Sequence, residues 1–137
     1  MSIIAEWDNP SKTILRWTFQ GNWNWAEFFE VTHQTERMLN EADHRVDFLI
    51  DMWDSYTLPS DAILQFAKIR QASHLSHPNA GKNMVFGANS FARSVGNLFK
   101  SAYQTAHERI FFVEDEEEAY ALLKVDRDQT PTQKCSL

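Results

Sequence analysis

Between Arg45 and Asp61 the chain reads RVDFLIDMWDSYTLPSD, and Val46, Phe48, Leu49, Ile50, Met52 and Trp53 make a nearly continuous apolar run broken by Asp47 and Asp51. A half-buried strand alternates apolar with polar residues, whereas a strand covered on both faces does not. This segment is therefore expected in the middle of an α/β sheet. Pro59 suits a first helical turn, and Ala62, Ile63, Phe66, Ala67, Ile69 and Ala72 then predict an amphipathic helix. His77-Pro78-Asn79-Ala80-Gly81 ends it.

The remaining pattern is consistent with that centre. Ile3–Trp7 and residues 13–20 read as two strands of a hairpin about the turn signal Asp8-Asn9-Pro10-Ser11, with Leu15, Trp17 and Phe19 on one face. Asn22 or Asn24 can cap a helix over 25–42, whose inner face is read as Trp25, Phe28, Phe29, Thr32, Thr35 and Leu39. Residues 83–87 and 109–113 are short strands without alternation. Between them Asn89 or Ser90 caps a helix with Phe91, Val95, Leu98, Phe99 and Ala102 in one stripe. After the last strand, Glu114 or Asp115 opens a helix bearing Ala119, Leu122 and Leu123, with Glu116, Glu117 and Glu118 beside the positive end of its dipole. The order is ββαβαβαβα. Right-handed crossovers then make strands two to five parallel, giving a mixed, mostly parallel α/β sheet of about five strands: an N-terminal β-hairpin followed by βα repeats with about four helices.

Composition narrows the class. With 137 residues, 43% of them apolar, the chain is expected to form a single domain over 1–125 and a polar tail over 126–137. A net charge of −6 argues against nucleic acid as a partner. Cys135 is the sole cysteine, so no intramolecular disulfide forms. The start, MSIIAEWDNPSK, lacks a basic segment followed by an apolar one, and no stretch is long enough to span a membrane. A cytoplasmic protein without integral membrane association is expected.

The hairpin, the strand RVDFLIDM with its proline-containing loop, and the segments MVFGANSFARSVGNLFKSAY and RIFFVEDEEEAYALL together resemble the STAS and SpoIIAA-like group, the fold of bacterial anti-sigma factor antagonists. The resemblance covers Thr13 to Lys124. It implies a regulatory or binding domain, and its subfamily is often described as lipid-binding. It also implies a phosphorylatable serine at the start of the helix after the central strand. Ser60 and, secondarily, Ser55 occupy that region, with Asp61-Ala62 standing where the family has Gly.

Carboxyl ends of parallel strands converge, so Asp51, Trp53, Asp54, Ser55 and Tyr56 are expected to meet Asn89, Ser90 and Arg93 across a crevice. Two readings are open: an anion site built from helix amides and Arg93, or ordinary caps and turns. His74 and His77 are three apart at a helix end, yet no third ligand lies nearby, so no metal is expected. Gly81 and Gly87 are too isolated to cradle a nucleotide, and no cofactor is expected. The other histidines give no triad by spacing, and no enzymatic activity is expected. Ten Phe, five Trp and three Tyr are more than such a core needs, Trp23, Trp25, Trp53 and Tyr56 being the surplus. They suggest a recognition surface or hydrophobic ligand site. The expectation is a non-enzymatic module for a protein partner or a small hydrophobic or anionic molecule, with self-association as a homodimer. The alternative is a switch phosphorylated at Ser60 or Ser55.

Overall fold

The computed structural model of the protein describes residues 2–56, 58–72 and 74–128. Strands β1 (Ile3–Trp7) and β2 (Ile14–Gly21) pair antiparallel, and Asn9 Oδ1 closes their turn by accepting from the backbone N–H of Thr13 at 3.0 Å and Ile14 at 3.3 Å. Strands β3 (Val46–Ser55), β4 (Ala80–Phe86) and β5 (Ile110–Phe112) add in parallel, giving the order β1-β2-β3-β4-β5. The α/β architecture and the central place of β3 are those expected from the sequence. The helices are α1 (Trp25–Glu41), α2 (Phe66–Ala72), α3 (Ser90–Ala102), α4 (Gln104–Arg109) and α5 (Glu116–Asp128), with 3-10 turns at Ile63–Gln65 and His74–Ser76.

Alternation along each strand divides the core in two. Leu15, Trp17 and Phe19 of β2, Phe48 and Ile50 of β3 and Val85 of β4 face one layer with Val31 and Leu39 of α1. Leu49, Met84 and Phe86 face the other, where Ala119 and Leu123 of α5 cover them. Residues 46–50 are buried without interruption because β3 meets a layer on each side. Asn24 caps α1 by accepting from Glu27 N at 2.8 Å, and Glu27 Oε2 takes the N–H groups of Ser2 and Ile3 at 2.7 and 2.9 Å, tying the helix start to β1. At α5, Asp115 accepts from Glu118 N at 2.9 Å while Glu118 reaches back to Glu114 N at 2.8 Å.

Several boundaries and faces differ from the sequence reading. The helix expected from Pro59 begins only at Phe66, after an exposed turn in which Asp61 has φ 65° and a 3-10 segment without a side-chain cap. Ile63 and Ala67 consequently face solvent. In α3 the inward stripe is Ala92, Val95, Gly96 and Phe99, leaving Phe91, Leu98 and Ala102 outside. The cause is Gly96: a Cβ there would lie 2.4 Å from Phe112 Cζ, so this position sets the helix against β5. Helix α4 is an added turn that takes Arg109 out of β5, and Leu122 is exposed. Helix α5 runs into the region read as tail, and residues 129–137, including Cys135, lie outside the described residues.

One polar group is built into the sheet. Asp47 is fully buried where the β3–β4 register shifts, Val46 opposite Ala80 but Phe48 opposite Asn83. Its carboxylate accepts from Lys82 N at 2.9 Å and from Arg45 at 3.3 Å, satisfying the bulge. A Cβ on Gly81 would stand 2.0 Å from Asp47 Oδ1. Gly81→Ala is therefore expected to destabilise the protein by roughly 2–4 kcal/mol in urea denaturation. A change under about 0.5 kcal/mol, the size expected of an ordinary surface position, would contradict this packing.

Candidate functional site

Between the sheet and helices α1, α2 and α3 lies an apolar pocket of about 190 Å³. Trp17, Trp23 and Phe28 line one side and Phe66, Phe99 and Phe112 the other. The first group packs as a ring cluster: Trp17 and Phe28 meet edge-on at 5.6 Å, and Trp23 stacks on Phe28 at 5.9 Å. The space opens toward solvent, so it is a cleft and not a sealed void in the core.

The indole N–H groups of this wall are committed elsewhere. Trp17 donates to Thr35 Oγ1 at 3.0 Å, Trp23 to Ser55 Oγ at 3.0 Å and Trp25 to the carbonyl of Ser60 at 2.9 Å. The last two tie the loop after β3 to the start of α1. The polar side chains in the lining are His74 and Asn83. His74 Nε2 lies 2.9 Å from Asn83 Oδ1, while Asn83 Nδ2 donates to the carbonyl of Arg109 at 3.4 Å. That second contact orients the amide, so Nε2 carries the proton and Nδ1 the lone pair. Nδ1 is buried and has no hydrogen-bond partner among the described residues. The ring packs 4.3 Å from Phe48 and 5.2 Å from Trp17, centroid to centroid. Arg109 steadies the neighbouring loop by donating to the carbonyls of Leu75 at 3.0 Å and Ala80 at 2.7 Å.

Of the residues expected to form a crevice at the strand ends, Trp53 and Arg93 line a separate space of about 130 Å³ beside Gly87 and Glu114. The other residues assigned to it are dispersed. Asp51 turns to the α5 side, where Arg16 donates to it at 3.1 Å and also to Asp8 and Glu116, with Tyr120 donating to Asp8. Burial opposes the Arg16 charge, but Asp8, Tyr120 and Glu116 more than compensate and hold the guanidinium more firmly protonated than usual. Asp54 is exposed, Ser55 is bonded to Trp23, and Tyr56 is 69% exposed beside Gly21. Asn89 caps α3 by accepting from Ala92 N at 2.8 Å, and Ser90 is its exposed first residue. Trp53 departs from the buried run because two residues of β3, Met52 and Trp53, stand against one of β2, Phe19, between the pairs Asp51–Thr18 and Asp54–Gln20, and this bulge leaves it 59% exposed. Ser60 lies in the exposed turn and not at an α-helix N-terminus.

His74 and His77 do not converge on a common point: His77 Nε2 meets Asn40 Oδ1 at 2.7 Å, and its Nδ1 accepts from Asn79 N at 3.0 Å. Among the described residues, no group of three His, Cys, Asp or Glu is placed to hold a metal ion. No described helix is long and apolar enough to cross a membrane. Helical spacing alone places Phe28, Phe66 and Phe99 in the core and His74 near a helix end. The surplus of aromatic residues was the signal for the pocket, two of the four, Trp23 and Trp25, lining it. Comparison of the sequence with protein-family models and with curated proteins finds no match.

Burial pushes the His74 imidazole down to about 4 from 6.5, the bond to Asn83 opposing the shift and His77 adding to it. The unfolded chain therefore takes up a proton near pH 6.5 that the folded protein refuses until about pH 4. The stabilisation is intact above the first value and declines as pH falls through this window, by up to about 3 kcal/mol. His74→Gln, which retains a donor for Asn83, is expected to flatten this part of the pH dependence in urea melts. Identical slopes for the two proteins would contradict a neutral, buried His74.

Proposed function

We propose that this protein is a non-enzymatic binding module of the SpoIIAA-like kind that holds a small hydrophobic molecule between its sheet and helices α2 and α3. The observation that carries this reading is the aromatic-walled pocket of about 190 Å³. An engineered apolar cavity of about 150 Å³ takes up benzene, so a molecule of one or two rings suits this space. Its walls are rigid rings, which favour aromatic guests through edge and face contacts. The Trp23 and Trp25 bonds to the loop after β3 bring Ser55 and Ser60 into the same framework. Occupancy can thus be sensed at the surface through that loop.

Ethylbenzene is expected to bind the wild-type protein, to raise its melting temperature and to alter tryptophan emission, since Trp17, Trp23 and Trp25 line the pocket. Ala92→Phe projects a ring into the same space and is expected to weaken binding by about tenfold or more while leaving the circular dichroism unchanged. Absence of binding to wild type, or equal binding to both proteins, would remove the pocket from the function.

A second reading has its own motivation in Trp53, Tyr56 and Phe91, which are 59%, 69% and 63% exposed. Exposed rings of this size favour a protein contact, including one with a second copy of the chain. Sedimentation across a concentration series detects self-association, and a monomer at all concentrations would discard the dimer.

A further inference from the structure

We propose that the outer face of α2 and α3 docks on an anionic lipid surface, through exposed apolar side chains bracketed by cations. This is an interaction surface, and it does not depend on what the pocket holds. Charge is divided unevenly along the chain. From Ala62 to His107 there are five Lys or Arg residues and no Asp or Glu, so all 19 acidic residues of a chain with net charge −6 lie elsewhere. Asp61 and Glu108 stand at the two ends of that segment. The net charge thus conceals two unlike regions.

The fold sets the two helices of this segment side by side. Phe66 of α2 meets Phe99 of α3 edge-on at 5.1 Å, and both rings line the pocket over the sheet. Apolar residues also point outward. Leu64, in the turn before α2, is 80% exposed, and Ile63, Phe91 and Leu98 are exposed as well. Phe91 and Leu98 are seven residues apart and so share one face of α3. Cations stand at the margins of the pair. Lys68 lies 4.4 Å from the ring centre of Phe29 on the α1 side and Arg70 lies 5.4 Å from that of Tyr103, while Arg93 and Lys100 lie 5.8 and 5.9 Å from Phe112 on the β5 side. Among the described residues none of these four is in an ion pair.

Exposed apolar side chains gain by entering the boundary between headgroups and acyl chains, and each nearby Lys or Arg gains from anionic headgroups. A turn and the outside of a helix are convex, and a fluid surface receives them without a matching groove. A second copy offering the same face would set like charges against each other. No described helix is long and apolar enough to cross a bilayer, so the contact is made at its surface.

The test is co-sedimentation of the whole protein at low salt with vesicles of phosphatidylcholine, alone or mixed equally with phosphatidylglycerol. A net charge of −6 is repelled by the mixed vesicles unless one face is presented to them. Wild type is expected to bind the mixed vesicles at least about tenfold more tightly than phosphatidylcholine alone, and to lose that preference as salt is raised. Lys68→Gln with Arg93→Gln should weaken binding about twentyfold, since each cation accounts for roughly fivefold. Leu64→Ser with Phe91→Ser should weaken it about tenfold or more. Leu122→Ser with Lys124→Gln makes like changes on α5, across the sheet, and should leave binding unchanged. Every exchange replaces an exposed side chain, so the variants are expected to keep the wild-type melting temperature. Absence of binding to the mixed vesicles, binding indifferent to the changes on the α2–α3 face, or equal weakening by the α5 pair would overturn the proposal. Tighter binding of poly-L-glutamate than of the vesicles, unaffected by Leu64→Ser with Phe91→Ser, would overturn it in favour of an acidic protein partner.

Discussion

The structure depends on β3 being paired on both edges and covered on both faces. A strand in that position sends alternate residues into two separate layers, and here the layers are unequal. Leu49 meets a layer closed by α5 alone, whereas Phe48 and Ile50 meet the one shared by the other helices. Large rings from β2, α1, α2, α3 and β5 populate the wider layer. Rings are stiff and fill space in few ways, so a wide layer built from them retains a gap that flexible side chains would close. The pocket follows from the asymmetry of the sheet's cover.

Much of the frame was legible because it rests on periodicity. The buried run of β3, the alternation of Leu15, Trp17 and Phe19, and the parallel order of β2 to β5 follow from local pattern and crossover handedness. The departures have tertiary causes. The bulge after Asp51 changes the direction of Trp53, and nothing in the pattern of RVDFLIDMWDS announces it. In α3, Phe91 and Leu98 outrank Ala92 and Gly96 on any hydrophobicity scale. Contact with Phe112 nevertheless decides which face turns inward. The sequence after Pro59 has helical spacing, but the loop is held by Trp25 and Trp23 before α2 begins.

Polar groups in the interior divide by whether they are completed. Asp47 is enclosed by backbone and Arg45, and Arg16 is shared among three carboxylates that join the hairpin, β3 and α5. Such sets hold elements together and are read most simply as architecture. His74 differs because one ring nitrogen is bonded and the other is not. Its neighbours Phe48 and Trp17 give it an apolar setting, and it stands beside space that is empty of protein. One ring nitrogen without a partner among the described residues is what separates His74 from the satisfied polar groups. From sequence, His74 is only the partner of His77 in a spacing of three for which no metal is expected, a pattern that gives no sign of its burial.

The claim that the wide layer holds a guest can be tested without knowing the guest. Crystals of the protein pressurised with xenon should show a xenon peak between Phe28, Phe66 and Phe112, since an apolar space of about 190 Å³ accepts an uncharged polarizable atom. A layer closed by side chains, or a chain of ordered waters in place of xenon, would contradict the account.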